Sequence, residues 1–175
     1  MSFLKYSGAG WADININNRF TSSASYLDNV PTMTLNALAE YLDRAIADYN
    51  AGAPIQAYAE PMELVFDAEG YDFGICVFNQ ELYIFHTDTD TCVPALLTFV
   101  DENFESIDFV VSYIAKLLQE AISDIESDFE NWVDFNLSSL AWLEDGDDEE
   151  ARNELEKSLN NAKRVLAEYK RITGE

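Results

Sequence analysis

The chain has very little positive charge. It carries 10 Lys and Arg residues against 33 Asp and Glu residues in 175, which gives a formal net charge of −23. Between Ala45 and Ala115 there is no Lys or Arg at all. Nucleic acid and anionic membranes are polyanions, so this balance argues against either as a direct partner. It favours a basic protein surface instead, and electrostatic steering would accelerate association with one.

Histidine, cysteine and the motifs of common enzyme classes are also scarce. His86 is the only histidine, which argues against a hydrolytic triad or a multi-histidine metal site. The two cysteines, Cys76 and Cys92, lack metal-ligand spacing, and no glycine motif for phosphate binding is present. The acidic block at 144–150 does not fit an EF-hand loop, because its glycine stands third. We therefore predict no catalytic residue, no cofactor and no metal site.

Long apolar runs are missing as well. No run approaches the roughly 20 residues needed to span a bilayer, and residues 1–8 lack the apolar stretch of a secretory signal. Reduced cysteines are then the default, so we expect a cytoplasmic protein with no membrane partner. The chain is nonetheless 48% hydrophobic and 13% aromatic, which argues against disorder and predicts a single domain over residues 1–175.

The pattern of apolar residues predicts an α+β fold. Segments rich in β-branched and aromatic residues predict a small antiparallel sheet over residues 62–87. Alternation over 11–17 suggests one further strand in an otherwise polar and irregular N-terminal region. Both faces of the 71–86 hairpin are apolar, so the sheet is either covered on each side or offers one face to a partner.

Four helices are expected to pack on this sheet, with Thr34 and Asp147 as the N-caps of the first and last. The last helix carries a short apolar seam that either packs back on the predicted helix over 107–134 or dimerises. Because it has fewer than three heptads, intramolecular packing is favoured, with a separate docking or homodimerisation element as the alternative. The predicted helices span residues 35–50, 94–103, 107–134 and 147–171.

The third predicted helix carries the most unusual charge pattern. Its apolar positions share a narrow arc, which predicts that Phe129 and Trp132 are core residues rather than interface contacts. Twelve acidic residues and no basic one lie between Lys116 and Arg152, so no counter-charge is within reach in sequence, and we expect something outside the chain to supply it. Two carboxylate rows at four-residue spacing flank the arc: Glu120, Asp124 and Asp128 on one side, and Glu126, Glu130 and Asp134 on the other.

The acidic block that follows has a partly structural explanation. Asp147 can cap the last helix, and the acids after it lie in the first turn, where the helix dipole favours negative charge. The remaining acids repel one another and weaken the fold, which suggests an external counter-charge. We take as candidate partner-binding residues the two rows together with four acids of the block: Glu120, Asp124, Asp128, Glu126, Glu130, Asp134, Glu144, Asp145, Asp147 and Asp148.

These features predict a non-catalytic acidic inhibitor whose carboxylates mimic the charge of nucleic acid. Its partner would be a basic nucleic-acid-binding protein, such as a restriction or CRISPR-type nuclease, blocked during phage or mobile-element counter-defence. Two alternatives remain open at this stage. One is an immunity or antitoxin protein that binds a basic nuclease toxin through a few anchors, and the other is an acidic adaptor or regulatory subunit. If the helix carboxylates are not the interface, the exposed face of the 71–86 hairpin is the next candidate.

Overall fold

The computed structural model of the chain describes residues 2–16, 20–55, 62–78, 81–86, 110–143 and 147–175. These residues form two three-stranded antiparallel sheets and four helices, which confirms the predicted α+β fold. The predicted helix at 94–103 lies outside the described residues. The strands are β1 (Leu4–Gly8), β2 (Trp11–Ile16), β3 (Phe20–Ser25), β4 (Met62–Asp67), β5 (Asp72–Phe78) and β6 (Glu81–His86). The helices are α1 (Val30–Asn50), α2 (Val110–Ser127), α3 (Phe129–Leu143) and α4 (Asp148–Thr173).

The N-terminal region is more regular than its sequence suggests. The strand predicted over 11–17 is confirmed as β2, but the prediction that the rest of the region is irregular was wrong, because β1, β2 and β3 form an antiparallel sheet. Gly8, Ala9 and Gly10 make the first turn with φ values of 88°, 51° and 80°, a conformation that glycine adopts at little cost. β3 is rich in serine and reads as a loop, yet it pairs along all of β2, and Ser23 donates a hydrogen bond to Asp13 at 2.7 Å.

The second sheet matches the strands predicted for it. β5 lies between β4 and β6, and Leu64, Ile75 and Ile84 stand opposite one another across the three strands. All three are buried, so this face supplies core. On the other face Val65 stands opposite Gly74, which in turn stands opposite Phe85. One face is therefore buried in the molecule, while Val65 on the other is 36% exposed.

Helix α1 begins earlier than predicted. It starts at Val30 with Pro31 in its first turn, a position that suits proline because the first amides of a helix need no intrahelical partner. Thr34 was predicted to cap the helix, and this was wrong, since Thr34 is fully buried inside it. Asn29 takes the N-cap position without a side-chain cap hydrogen bond.

The long helix predicted over 107–134 was also wrong, because it is two helices that meet at Asp128. Side chains at the junction form local hydrogen bonds that compete with continuous helix. Ser127 donates to the backbone oxygen of Asp124 at 2.9 Å, and Asn131 donates to the carboxylate of Asp128 at 2.7 Å. Helix α3 then continues to Leu143, nine residues beyond the predicted end at 134.

Helix α1 lies at the centre of the fold and contacts α2, α3, α4 and β4. The apolar seam of α4 is buried within the chain, mainly against α1, so its packing is intramolecular, although α2 is not its principal partner. None of the helices in the described ranges is long and apolar enough to cross a membrane. The buried seam residues are Leu155, Leu159, Ala162, Leu166 and Tyr169.

Candidate protein-interaction surface

The first carboxylate row is partly used by the fold itself. The carboxylate of Asp124 accepts a hydrogen bond from the backbone amide of Leu4 at 2.9 Å, which ties β1 to α2. Glu120 forms an ion pair with Lys116 one turn earlier, at 3.8 Å. Asp128 lies at the junction of α2 and α3 and accepts the bond from Asn131. Each residue of this row therefore has an intramolecular role that its spacing alone does not indicate.

Two acids of the second row pair with bases of α4, so for these two the expectation that the counter-charge comes from outside the chain was wrong. Arg152 donates two hydrogen bonds to Glu130, at 3.0 and 2.7 Å, in the bidentate geometry that is strongest for this pair. Lys163 forms an ion pair with Glu126. Both cations come from α4, which folds back over the acidic helices.

Arg152 has further neighbours besides Glu130 on α3. Its guanidinium lies over the ring of Phe129, 5.7 Å from the ring centroid. The hydrogen bonds to Glu130, and then the charges of Glu130, Asp148 and Glu156, raise the pKa of Arg152. The same hydrogen bonds hold the pKa of Glu130 below its usual value. The arginine and Glu130 thus both remain ionised at any physiological pH.

The first turns of α4 present further exposed candidate carboxylates. Asp147 caps the helix as predicted, accepting from the amide of Glu150 at 2.9 Å. Asp147 and Asp148 are both exposed, as is Asp134 on α3. Glu144 and Asp145 lie outside the described residues. An open groove of about 640 Å³ runs here between α3 and α4, lined by Leu140, Asp147, Glu149, Glu150, Asn153, Glu154 and Lys157.

Two carboxylates of this surface, Glu154 and Glu156, were not among the predicted site residues. Glu154 lines the groove and accepts a hydrogen bond from Asn29 at 3.1 Å. Glu156 follows Arg152 by four residues, as Asp148 precedes it by four, so both acids lie on the same side of α4 as the arginine. This spacing is visible in the sequence, but it is common to many solvated helix faces and does not by itself indicate a site.

The described residues contain too few bases to neutralise their acids. The described residues include 24 acids and nine bases. Six ion pairs are described, each with a different base and a different acid. The described residues contain three further bases, Lys5, Lys157 and Lys170, against 18 further acids. Even complete pairing of these lysines would leave most of the acids in that part of the chain without a cation.

Asp28 is a carboxylate of a different kind, because it joins the two sheets. It lies between β3 and α1 and accepts the backbone amide of Asp67, at the end of β4, at 2.6 Å. Burial raises the pKa of Asp28 from its ordinary 3.8, and the nearby charges of Asp67 and Asp72 add to this, while the hydrogen bond opposes it. The folded state therefore binds a proton on the Asp28 carboxylate more tightly than the unfolded state does. The protonated carboxyl contributes its full stabilisation below pH 3.8, and this contribution is lost as the pH rises through the folded-state pKa.

Asp28→Asn should therefore stabilise the protein at neutral pH. The amide oxygen can still accept the Asp67 amide while the charge is removed. We therefore expect a small gain in the free energy of unfolding at pH 7, reduced by solvent screening of this half-buried group, that disappears as the pH falls to 3.8. Thermal unfolding across this pH range measures it. Asp28→Ala is the matched control, since it removes the acceptor as well and should destabilise. A lower melting temperature for the asparagine variant at pH 7 would contradict this account.

The described residues contain no group of three or more His, Cys, Asp or Glu side chains arranged to hold a metal ion. No protein-family model matches the chain, and no curated protein or solved structure is significantly similar to it.

Proposed function

We propose that the chain is a non-catalytic acidic inhibitor that binds a basic nucleic-acid-binding protein in the cytoplasm by imitating the charge of nucleic acid. A restriction or CRISPR-type nuclease countered by a phage or mobile element is the kind of target this chemistry suits. The carrying observation is the imbalance between 24 acids and nine bases in the described residues. So large an excess costs stability, and a basic partner would offset that cost.

The mechanism is competition for phosphate-binding lysines and arginines. Carboxylates on α3 and α4 would occupy those side chains and exclude DNA or RNA, with release of bound counterions as an entropic gain. The acids best suited to this are exposed, namely Asp134, Asp148, Glu149, Glu150 and Glu156, and of these Glu149 and Glu150 line the α3–α4 groove. Glu120, Asp124 and Asp128 contribute less, because the fold already engages them.

A pair of charge variants tests this proposal. The surface variant combines Asp134→Asn, Asp148→Asn, Glu149→Gln and Glu156→Gln, all at exposed positions. The matched control makes the same change in net charge at exposed acids elsewhere, with Asp48→Asn, Glu63→Gln, Glu69→Gln and Glu175→Gln. The surface variant should bind its target at least about tenfold more weakly, while the control should bind nearly as well as the wild type.

The target is first recovered by affinity capture from the source cells at low salt, and displacement by competitor DNA is then measured. The proposal predicts a basic nucleic-acid-binding protein whose binding falls steeply with salt and competes with DNA. Recovery of no such protein at low salt would refute it. Tight binding that persists at high salt and is not displaced by competitor DNA would instead indicate an immunity or antitoxin protein.

A further inference from the structure

Arg152 is bound by one carboxylate from α3 and lies near two further carboxylates on its own helix. Glu130 reaches it from α3, and Asp148 and Glu156 flank it on α4. The ring of Phe129 lies beneath the guanidinium at 5.7 Å. A planar cation held between a bidentate carboxylate and an aromatic face is also how proteins bind an arginine from a partner.

We propose that Arg152 is an internal stand-in for an arginine of the basic partner, and that it must release Glu130 before the partner can bind there. The guanidinium-binding position consists of Glu130, Asp148, Glu156 and Phe129. This inference rests on the proposed function and adds two things to it: the group that is recognised, and an autoinhibitory contact that weakens recognition.

The exposure of the pair supports exchange rather than a fixed structural link. The Glu130 side chain is 76% exposed, whereas the Arg152 side chain is 34% exposed. Most of the Glu130 side chain is therefore in contact with solvent, so an incoming guanidinium can approach it and compete with Arg152 for the carboxylate. Exposed ion pairs of this kind contribute little to stability because solvent screens them, so a partner with several cations can displace one.

A matched pair of variants tests the stand-in directly. Arg152→Gln removes the internal cation, and Arg171→Gln removes an equal charge from the same helix. Arg171 is a close control, because it also donates two hydrogen bonds to a single carboxylate, Glu168, at 2.9 and 2.7 Å. Binding of a fluorescein-labelled oligoarginine peptide to the full chain is measured by fluorescence anisotropy at low salt.

Arg152→Gln should bind the peptide about threefold more tightly than the wild type, which corresponds to loss of a competing exposed ion pair. Arg171→Gln should change the affinity by clearly less. The gain of Arg152→Gln should be smaller with an oligolysine peptide, because an ammonium cannot form the bidentate contact. Equal affinities for the two variants would overturn the inference, and so would an equal gain with oligolysine.

Glu130→Gln completes the test. In the wild-type background it should change peptide binding little, since Arg152 occupies the carboxylate. In the Arg152→Gln background it should abolish the gain, and a gain that persists would show that Glu130 is not the recovered site. Arg152→Lys keeps the positive charge and controls for misfolding of the glutamine variant. It should bind the oligoarginine peptide more tightly than the wild type, but less tightly than Arg152→Gln. If the variants behave as described but DNA does not compete for the cellular target, the stand-in holds and the proposed inhibitor function fails.

Discussion

Replacing Trp132 with alanine should lower the free energy of unfolding by about 4 kcal/mol. The side chain is 1% exposed and is among the largest buried in the described residues. Its ring meets those of Tyr6 and Phe135 edge to face, with centroids 6.2 and 5.7 Å away. Since Tyr6 belongs to β1, the tryptophan joins the N-terminal sheet to α3, and its loss leaves a cavity between them.

Urea denaturation followed by circular dichroism measures this change. Trp132→Phe keeps an aromatic ring in the cluster and should lose less than half as much. Tyr49→Ala removes an aromatic side chain that is 42% exposed and should cost about 0.5 kcal/mol. If Trp132→Ala instead left stability unchanged and reduced partner binding, the residue would be an interface contact and not a core anchor.

The burial of Trp132 was predictable because the evidence for it lies in nearby residues of the sequence. It shares a helical arc with Leu118, Ile122 and Ile125, apolar positions at spacings of three and four, and these residues are buried as predicted. Helix α4 was predictable for the same reason, with an aspartate cap at Asp147 and basic residues in its last turn. The second sheet followed from its runs of aromatic and β-branched residues.

The N-terminal sheet was missed because tertiary pairing, and not composition, makes it. β3 reads as a serine-rich loop, and only its register with β2 turns it into a strand. The break at Asp128 was missed for a similar reason. A continuous apolar arc runs through it, while the hydrogen bonds of Ser127 and Asn131 that end α2 and begin α3 are invisible to periodicity.

The candidate site could be predicted only in part for the same reason, because sequence patterns do not show which distant residues pack together. The sequence correctly shows twelve acids without a base between Lys116 and Arg152. It does not show that α4 brings Arg152 back to Glu130, because the two are 22 residues apart. Counter-charge is a property of the folded surface, so an acidic row in sequence is a candidate interface only after packing is known. The acids that remain for a partner are consequently fewer, and they lie nearer the start of α4.

Gly74→Ala should destabilise the protein by about 3 kcal/mol or more, through overlap with backbone in the middle of the second sheet. Gly74 lies on β5, the central strand, between Val65 and Phe85. A Cβ added there would overlap the carbonyl oxygen of Leu64 and lie 3.2 Å from the Phe85 ring. The ring can turn aside, but the Leu64 carbonyl belongs to the neighbouring strand and moves only with it.

Gly8→Ala is the matched control for this substitution. Gly8 has a φ of 88° and no atom within 4 Å of an added Cβ, so alanine there meets only the backbone penalty of about 1 kcal/mol. The free energies of unfolding of the two variants are compared by urea denaturation, with amide hydrogen exchange in β4 and β5 as a local measure. Gly74→Ala should lose at least twice as much stability, with exchange accelerated in both strands. A loss no greater than that of Gly8→Ala would mean that β4 and β5 are farther apart at Gly74 than this packing requires.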